Sequence, residues 1–487
     1  MTPRSLAPFA LAVASLAVLA PSNARAIPAF ARKYGTSCLT CHSVYPKLTP
    51  FGEAFRRNGY RFPGVDSDYI KMPQIPLGQE ANKKTFPSTA WPSSLPGGSV
   101  LAIGANGQAA TYPQKSATIP RQNHDVRFSL DDLVAEGHLW AGAALDDSIT
   151  LWAELTVANG GADVEHAQVL FNDLLGPKHA LNLVVGRGFP TLTSFGPHSS
   201  YLGDLRLSNL PVTGIYGLST DPFVLVDNYN AVEVTGVVGG YFDYSVGVAA
   251  GKNGLSSIPG VHAKVNSENY YGHVGYKLGG LRLDGEGTQG PKNALKPWAE
   301  DAITVDLFAF RSREVLGGAG TPFTTDLVSD TSRTFGGAVR GQLGSAELDL
   351  AFYAQHHDGG WINGGGGLGA LDANVSSAEL SYVVFPWLVP AVRLERIELR
   401  PSGGSNVSNF HVMPGIAFLI RANLKAVLVA NIESASGFPV DPTGAGLAWD
   451  GGAAAWGPFV AAPKDTGSPG ATQTEFESIQ LFFAWAM

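Results

Sequence analysis

The feature that most constrains this chain is a two-residue alternation of apolar and polar side chains, which returns over stretches of about ten residues. From Tyr241 to Ala250 one face reads Phe242, Tyr244, Val246, Val248, Ala250 and the other Tyr241, Asp243, Ser245, Gly247, Ala249. Leu348, Leu350 and Phe352 oppose Glu347, Asp349 and Tyr353; Leu424, Leu428 and Ile432 oppose Lys425, Asn431 and Glu433; Ile149, Leu151 and Leu155 oppose Thr150 and Glu154. A period of two sends successive side chains to opposite faces of a strand. Soluble sandwiches alternate too, but their strands are usually about five or six residues long. Apolar-out, polar-in strands of about ten residues are the signature of a transmembrane β-barrel.

The chain's end supports the same reading, because Ile479, Leu481, Phe483, Trp485 and Met487 all fall on one face of a strand that runs to the last residue. No stretch reaches the ~20 apolar residues of a spanning helix. Gly is abundant at 59 and charged residues make up only 15%. With 33 basic against 41 acidic side chains and a net charge of −8, nucleic acid is excluded as a partner.

Turn signals at Asp146 to Ser148, Gly239-Gly240, Gly279-Gly280, Gly344-Ser345, Pro386 and Ala422 read as short connections. Long ones run from Thr191 to Pro222, Lys252 to Ser267, His357 to Ser376 and Ala435 to Gln473. Segments from Ser99 onward number seventeen, with a parity slip between Arg311 and Thr331. Both ends of a bacterial barrel lie on one side, so an even number is required, and sixteen strands are predicted, with eighteen as the alternative. Such a barrel encloses a lumen wide enough for an aqueous channel or a plug. Glu136, His138, Glu154, Glu233, Asp243, Arg340, Glu347, Asp349, Glu379, Arg393 and Glu395 are expected to face it, polar because water fills such barrels.

At the other end of the chain, Arg4 precedes an apolar run from Leu6 to Ala20 and the small-residue signal Ala24-Arg25-Ala26. Residues 1–26 therefore read as a cleaved export signal. Both cysteines follow closely, in Cys38-Leu39-Thr40-Cys41-His42. Two thiols at this spacing each add across one of the two haem vinyl groups, and His42 becomes the proximal iron ligand. A redox-active dithiol or disulfide would sit near a βαβ pattern, and a zinc site would need a fourth ligand nearby; neither is present in the sequence.

Thr49-Pro50 reads as the N-cap and first residue of a short helix that Gly59 ends. Leu48, Phe51, Gly52 and Phe55 form one stripe, expected to pack on a porphyrin with Gly52 close to the ring, and Arg56 and Arg57 are placed to pair with propionates. Residues 27–72 form a haem segment near the lower size limit of a domain, with an exposed face expected to dock on the β region. Met72 is one candidate for the sixth iron ligand, with a histidine such as His124 as its competitor. Residues 73–98, with Pro76, Pro87, Pro92, Pro96 and Gly97-Gly98, read as a linker, and 99–487 as the barrel.

Phe30-Ala31-Arg32-Lys33-Tyr34-Gly35, then Cys38-x-x-Cys41-His42, Pro46-Lys47-Leu48-x-x-Phe51-Gly52-x-x-Phe55 and Gly59-Tyr60 resemble the N-terminal signature of the fused outer-membrane monohaem cytochrome c–porins. That family includes iron-oxidising outer-membrane cytochromes. The resemblance implies one covalent haem c on Cys38 and Cys41 ligated by His42, a place in the bacterial outer membrane, and electron transfer between an extracellular donor or acceptor and a periplasmic cytochrome. Extracellular Fe(II) is the candidate donor, which would make the chain an iron:cytochrome c oxidoreductase in effect.

Three rival functions differ in what they require. A solute-transport porin with a haem plug or sensor would conduct solutes. A haem enzyme such as a peroxidase would need an open sixth position and distal acid–base groups, and a secreted soluble β-protein would not partition into detergent. No G-x-S-x-G, H-E-x-x-H or phosphate loop marks hydrolytic chemistry.

Overall fold

Residues Phe242–Ala249 show how the alternation is used: Asp243 and Ser245 are buried, whereas Val246 and Val248 stand 62% and 43% exposed. The computed structural model describes residues 30, 34, 38–44, 47–62, 101–111, 128–129, 136–144, 148–158, 161–192, 200–202, 229–250, 269–285, 296, 298–316, 328–362, 368–402, 406–421, 424–436 and 472–486. The export signal, the linker, Met72 and His124 lie outside them.

The N-terminal part contains α1 (Cys38–Cys41), β1 (His42–Val44), β2 (Lys47–Leu48) and α2 (Pro50–Arg57). The wall follows as β3 (Leu101–Thr111), β4 (Phe128–Ser129), β5 (Glu136–Ala144), β6 (Ile149–Ala158), β7 (Gly161–Phe171), β8 (Asn182–Gly188), β9 (Tyr229–Val238) and β10 (Phe242–Ala249). It continues as β11 (Asn269–Gly279), β12 (Glu300–Leu316), β13 (Val328–Gly344), β14 (Ala346–Ile362), β15 (Leu368–Tyr382), β16 (Leu388–Pro401), β17 (Val407–Arg421), β18 (Leu424–Ser436) and β19 (Thr472–Ala486).

Every neighbouring pair is antiparallel, and β19 returns to β3 through Ile479↔Thr111 to Ala486↔Gly104, so the sheet closes. Both β4 and β5 pair with β3, at Thr111↔Phe128 and Asn106↔Glu136, and so form one interrupted stave. The seventeen strands of the wall are therefore sixteen staves. Closure satisfies every edge, which a hydrocarbon surround demands. The outer face carries Leu151, Val246, Val274, Leu307, Phe352 and Leu380, all exposed, with Tyr382, Phe385 and Trp387 at one rim. This is the apolar band with an aromatic girdle that lipid-facing walls present.

Three expectations are corrected. Strands β12 to β19 run to 13–17 residues, longer than ten. His357 to Ser376 is a paired hairpin, continued through Trp361↔Gly369 and Ile362↔Leu368, and not a long connection. Gly279-Gly280 begins a connection that reaches β12 only at Glu300, whose described residues turn inward, burying Leu281 and Leu283. The interval of the parity slip, Arg311 to Thr331, includes residues 317–327, which lie outside the described ones. Before it burial alternates without interruption through Phe308, Phe310 and Ser312, and the inward aromatic residues join Tyr229, Tyr271 and Tyr353 in an internal apolar cluster.

The lumen is filled near the end where β3 begins and β19 stops, hereafter the proximal end. Residues of the connection from β8 to β9 reach it: the Ser200 hydroxyl meets Glu379 at 2.8 Å, and Tyr201 and Leu202 join Val383, Val389 and Ala417. The N-terminal segment lies at the same end, paired with the wall through Lys47, Arg57 and Arg61.

Candidate functional site

The C-x-x-C-H stretch is held by local chemistry before it meets the barrel. Cys38–Cys41 is one helical turn, and His42 opens a short ladder with Leu48. Thr49 ties that turn to α2. Its N–H donates to the Cys41 carbonyl at 2.9 Å, its hydroxyl donates to the Thr40 carbonyl at 2.9 Å, and the same oxygen accepts from the Gly52 N–H at 3.1 Å. Thr49 and Pro50 thus act as the expected cap and first residue. At the far end Asn58 and Gly59 donate back to Ala54 and Arg56, and Gly59 and Tyr60 take left-handed φ values of 65° and 58°.

Gly52 lies against the attachment turn: its Cα faces the Cys41 carbonyl oxygen, which a Cβ would approach to 1.9 Å. Cys41 is half-buried beside Phe51, Ala54 and Phe62. Phe55 packs edge-on to Phe30 and Tyr34 at 5.5 and 5.6 Å, and Phe51 meets Phe62 at 5.1 Å, so the apolar stripe is engaged by the segment's own aromatic rings. Of Cys38 only the backbone is described.

Ion pairs fix the segment to the wall. Arg57 Nε meets Asp243 Oδ2 at 3.0 Å and Arg57 Nη1 meets Glu53 Oε2 at 3.2 Å. Arg57 is therefore a docking residue and not a free partner for a propionate. Arg340 spans Asp349 at 3.0 Å and Glu53 at 3.6 Å. Lys47 pairs with Glu347 and lies 4.8 Å over the Tyr201 ring. Arg61 pairs with Asp173 at 2.8 Å, the Thr150 hydroxyl donates to the Gly59 carbonyl at 2.8 Å, and Tyr60 stacks on Trp152 at 5.6 Å.

Asp243, Glu347 and Thr150 are each the second residue of their strand, which puts the segment at the proximal mouth. The expectation that it docks on the β region is met from inside. The predicted lumen residues Glu154, Glu233, Asp243, Arg340, Asp349, Glu379, Arg393 and Glu395 are all buried in the interior.

Two connecting residues complete the dock without any sequence signal. Burial pushes the Asp173 carboxyl up, but the hydrogen bond from Arg61 and the N–H of His179 more than reverse this and hold it below its ordinary 3.8. Burial lowers the His179 imidazole below its ordinary 6.5 despite the nearby Asp173. Desolvation likewise raises the Tyr60 hydroxyl.

The residues that would hold a covalent haem are Cys38 and Cys41, at the two ends of one helical turn, and His42 on the next residue, with Phe51, Ala54 and Phe62 as an apolar flank beside Cys41.

No family model and no curated protein matches the sequence. Among solved structures the chain is similar to OmpT, an outer membrane protein of Vibrio cholerae, at 13% identity and a TM-score of 0.45, over 80% of this chain and 98% of that one. It is similar to the outer membrane channel DcaP of Acinetobacter baumannii at 8% identity and a TM-score of 0.46, over 80% and 96%. An anion-selective porin from Comamonas acidovorans is similar at 12% identity and a TM-score of 0.46, over 80% and 99%.

Proposed function

We propose that this chain is an outer-membrane electron-transfer protein, in which a c-type haem bound by Cys38, Cys41 and His42 sits within a barrel. It takes electrons from a donor outside the cell and passes them to a periplasmic cytochrome. The observation that carries this reading is the docking, at the proximal mouth, of the segment that bears the C-x-x-C-H stretch, whose following residues are bound to the wall through Lys47–Glu347, Arg57–Asp243, Glu53–Arg340 and Arg61–Asp173.

A bilayer's ~30 Å of hydrocarbon separates an external donor from periplasmic carriers, and a redox centre inside the wall shortens that gap. When bound, the haem supplies a reversible one-electron couple. The chain's own residues position it. Thr49 and Gly52 pin the attachment turn to α2, Phe51 and Phe62 pack beside the half-buried Cys41, and the ion pairs fix the segment to the wall. Ferrous iron is the proposed donor, and Met72 would supply a thioether to the haem iron, which would raise the potential.

One observation favours a second reading, a solute pore with the segment as its plug. Ser312, Ser332, Thr334 and Gln355 are buried on the inner face with side-chain polar atoms that have no partner among the described residues. Buried polar groups of this kind are commonly met by water, as a hydrated pore would supply.

Acid–acetone extraction of the detergent-purified chain, followed by anoxic mixing with ferrous iron, separates the readings. Electron transfer requires that visible absorption stays with the polypeptide, that Cys41→Ser weakens its retention, and that iron reduces a low-spin haem. Complete extraction of the colour would remove the redox reading. A haem that iron fails to reduce would remove only the donor.

A further inference from the structure

One row of the wall converges on an absent side chain. Gly275 of β11 is paired with Asp243 of β10 on one side and with Asp306 of β12 on the other, and His273 lies two residues before it on the same inner face. A Cβ at position 275 would stand 2.2 Å from Asp243 Oδ1, 2.8 Å from Asp306 Oδ1 and 3.1 Å from His273 Nε2. The three donor groups thus surround the space that a side chain at 275 would fill, with one ligand atom of each within 4.8 Å of the others.

All three are deeply buried, Asp243 at 3%, His273 at 4% and Asp306 at 0% exposure. Arg57 engages only Oδ2 of Asp243, and Oδ1, the oxygen aimed into this space, has no hydrogen-bond donor among the described residues. His273 Nε2 lies 3.0 Å from Asp306 Oδ1.

A buried carboxylate oxygen without a donor is costly unless a cation meets it. Two carboxylates with an imidazole nitrogen form a mixed oxygen and nitrogen set, which suits first-row divalent transition ions better than calcium or magnesium, whose ligands are oxygens. We infer that Asp243, His273 and Asp306 form a binding site for one divalent transition-metal ion, made possible by glycine at 275 and adjoining the Arg57 dock of the N-terminal segment. The site does not depend on the electron-transfer reading.

Zinc is the probe, because it is redox-inert and leaves the oxidation state of a haem alone. The full-length detergent-purified chain is dialysed to equilibrium with Zn²⁺ and its metal content measured, alongside Gly275→Ala, Asp306→Asn and Glu154→Gln, all checked for the heat-shifted gel mobility of a folded barrel. Glu154 belongs to a separate inner-wall group with His138 and Glu165. Gly275→Ala and Asp306→Asn are each expected to bind one ion fewer per chain than the parent, and Glu154→Gln to keep that ion. Parent stoichiometry in either of the first two, loss of the same ion in Glu154→Gln, or no zinc on the parent would overturn the site. Zinc X-ray absorption on the unaltered chain at one equivalent tests it without any variant. One imidazole among oxygens at about 2.0–2.2 Å is expected, and a sulfur ligand would contradict it.

Discussion

Gly52 lies so close to Cys41 that a single added carbon would stand 1.9 Å from the Cys41 carbonyl oxygen. The obstacle is backbone, which cannot rotate away, so α2 and the attachment turn would have to separate. Gly52→Ala is expected to destabilise the segment by about 1–3 kcal/mol and to reduce the share of purified chain that stains for covalent haem. Full haem loading at unchanged melting temperature would show that this contact does not position the attachment turn.

Arg57 holds Asp243 and Glu53 together across 186 and 4 residues of sequence. Arg57→Met leaves Asp243 without the guanidinium that faces it, a loss on the order of 3 kcal/mol for a buried pair. The expected readout is selective: limited proteolysis cuts the N-terminal segment while the barrel keeps its heat-shifted mobility. Arg57→Lys keeps the charge without the fork that reaches both carboxylates, and is expected to recover part of the protection. Equal resistance in all three chains would remove this pair from the dock.

The Asp173 and His179 groups give the dock a pH dependence whose sign is fixed. Both are held below their ordinary values, so the unfolded chain takes up protons first and stability falls as pH falls. The His179 contribution is complete above 6.5 and declines below it, whereas that of Asp173 declines only below 3.8. Protease resistance of the segment should therefore weaken as pH drops through 6.5, and His179→Asn should flatten that slope. A slope unchanged in the variant would assign it to other groups.

The wall was readable because lipid and lumen impose opposite demands on alternate residues, as at Asp243 and Val246. The helix cap was readable for an equally local reason, since Thr49 acts on a backbone N–H only three residues away. Strand number was harder. The interruption between β4 and β5 leaves two pieces on one partner strand, so the pattern yields seventeen segments, and the even number required of a closed wall recovers the sixteen staves that are found. The stripe of α2 was visible, but not what covers it, because Phe30, Tyr34 and Phe62 meet it only through the tertiary fold. The row Asp243–Gly275–Asp306 exists only once register is set, and a one-residue slip would send these side chains to the lipid.

Electron passage through the wall is tested most directly in sealed liposomes that carry the chain, with oxidised soluble cytochrome c trapped inside and an impermeant reductant added outside. Reduction of the trapped cytochrome by the parent chain, and its abolition in Cys41→Ser with the barrel still inserted, is the expected result. Equal reduction by both chains, or none by a parent that carries its haem, would contradict an electron path through the C-x-x-C-H segment.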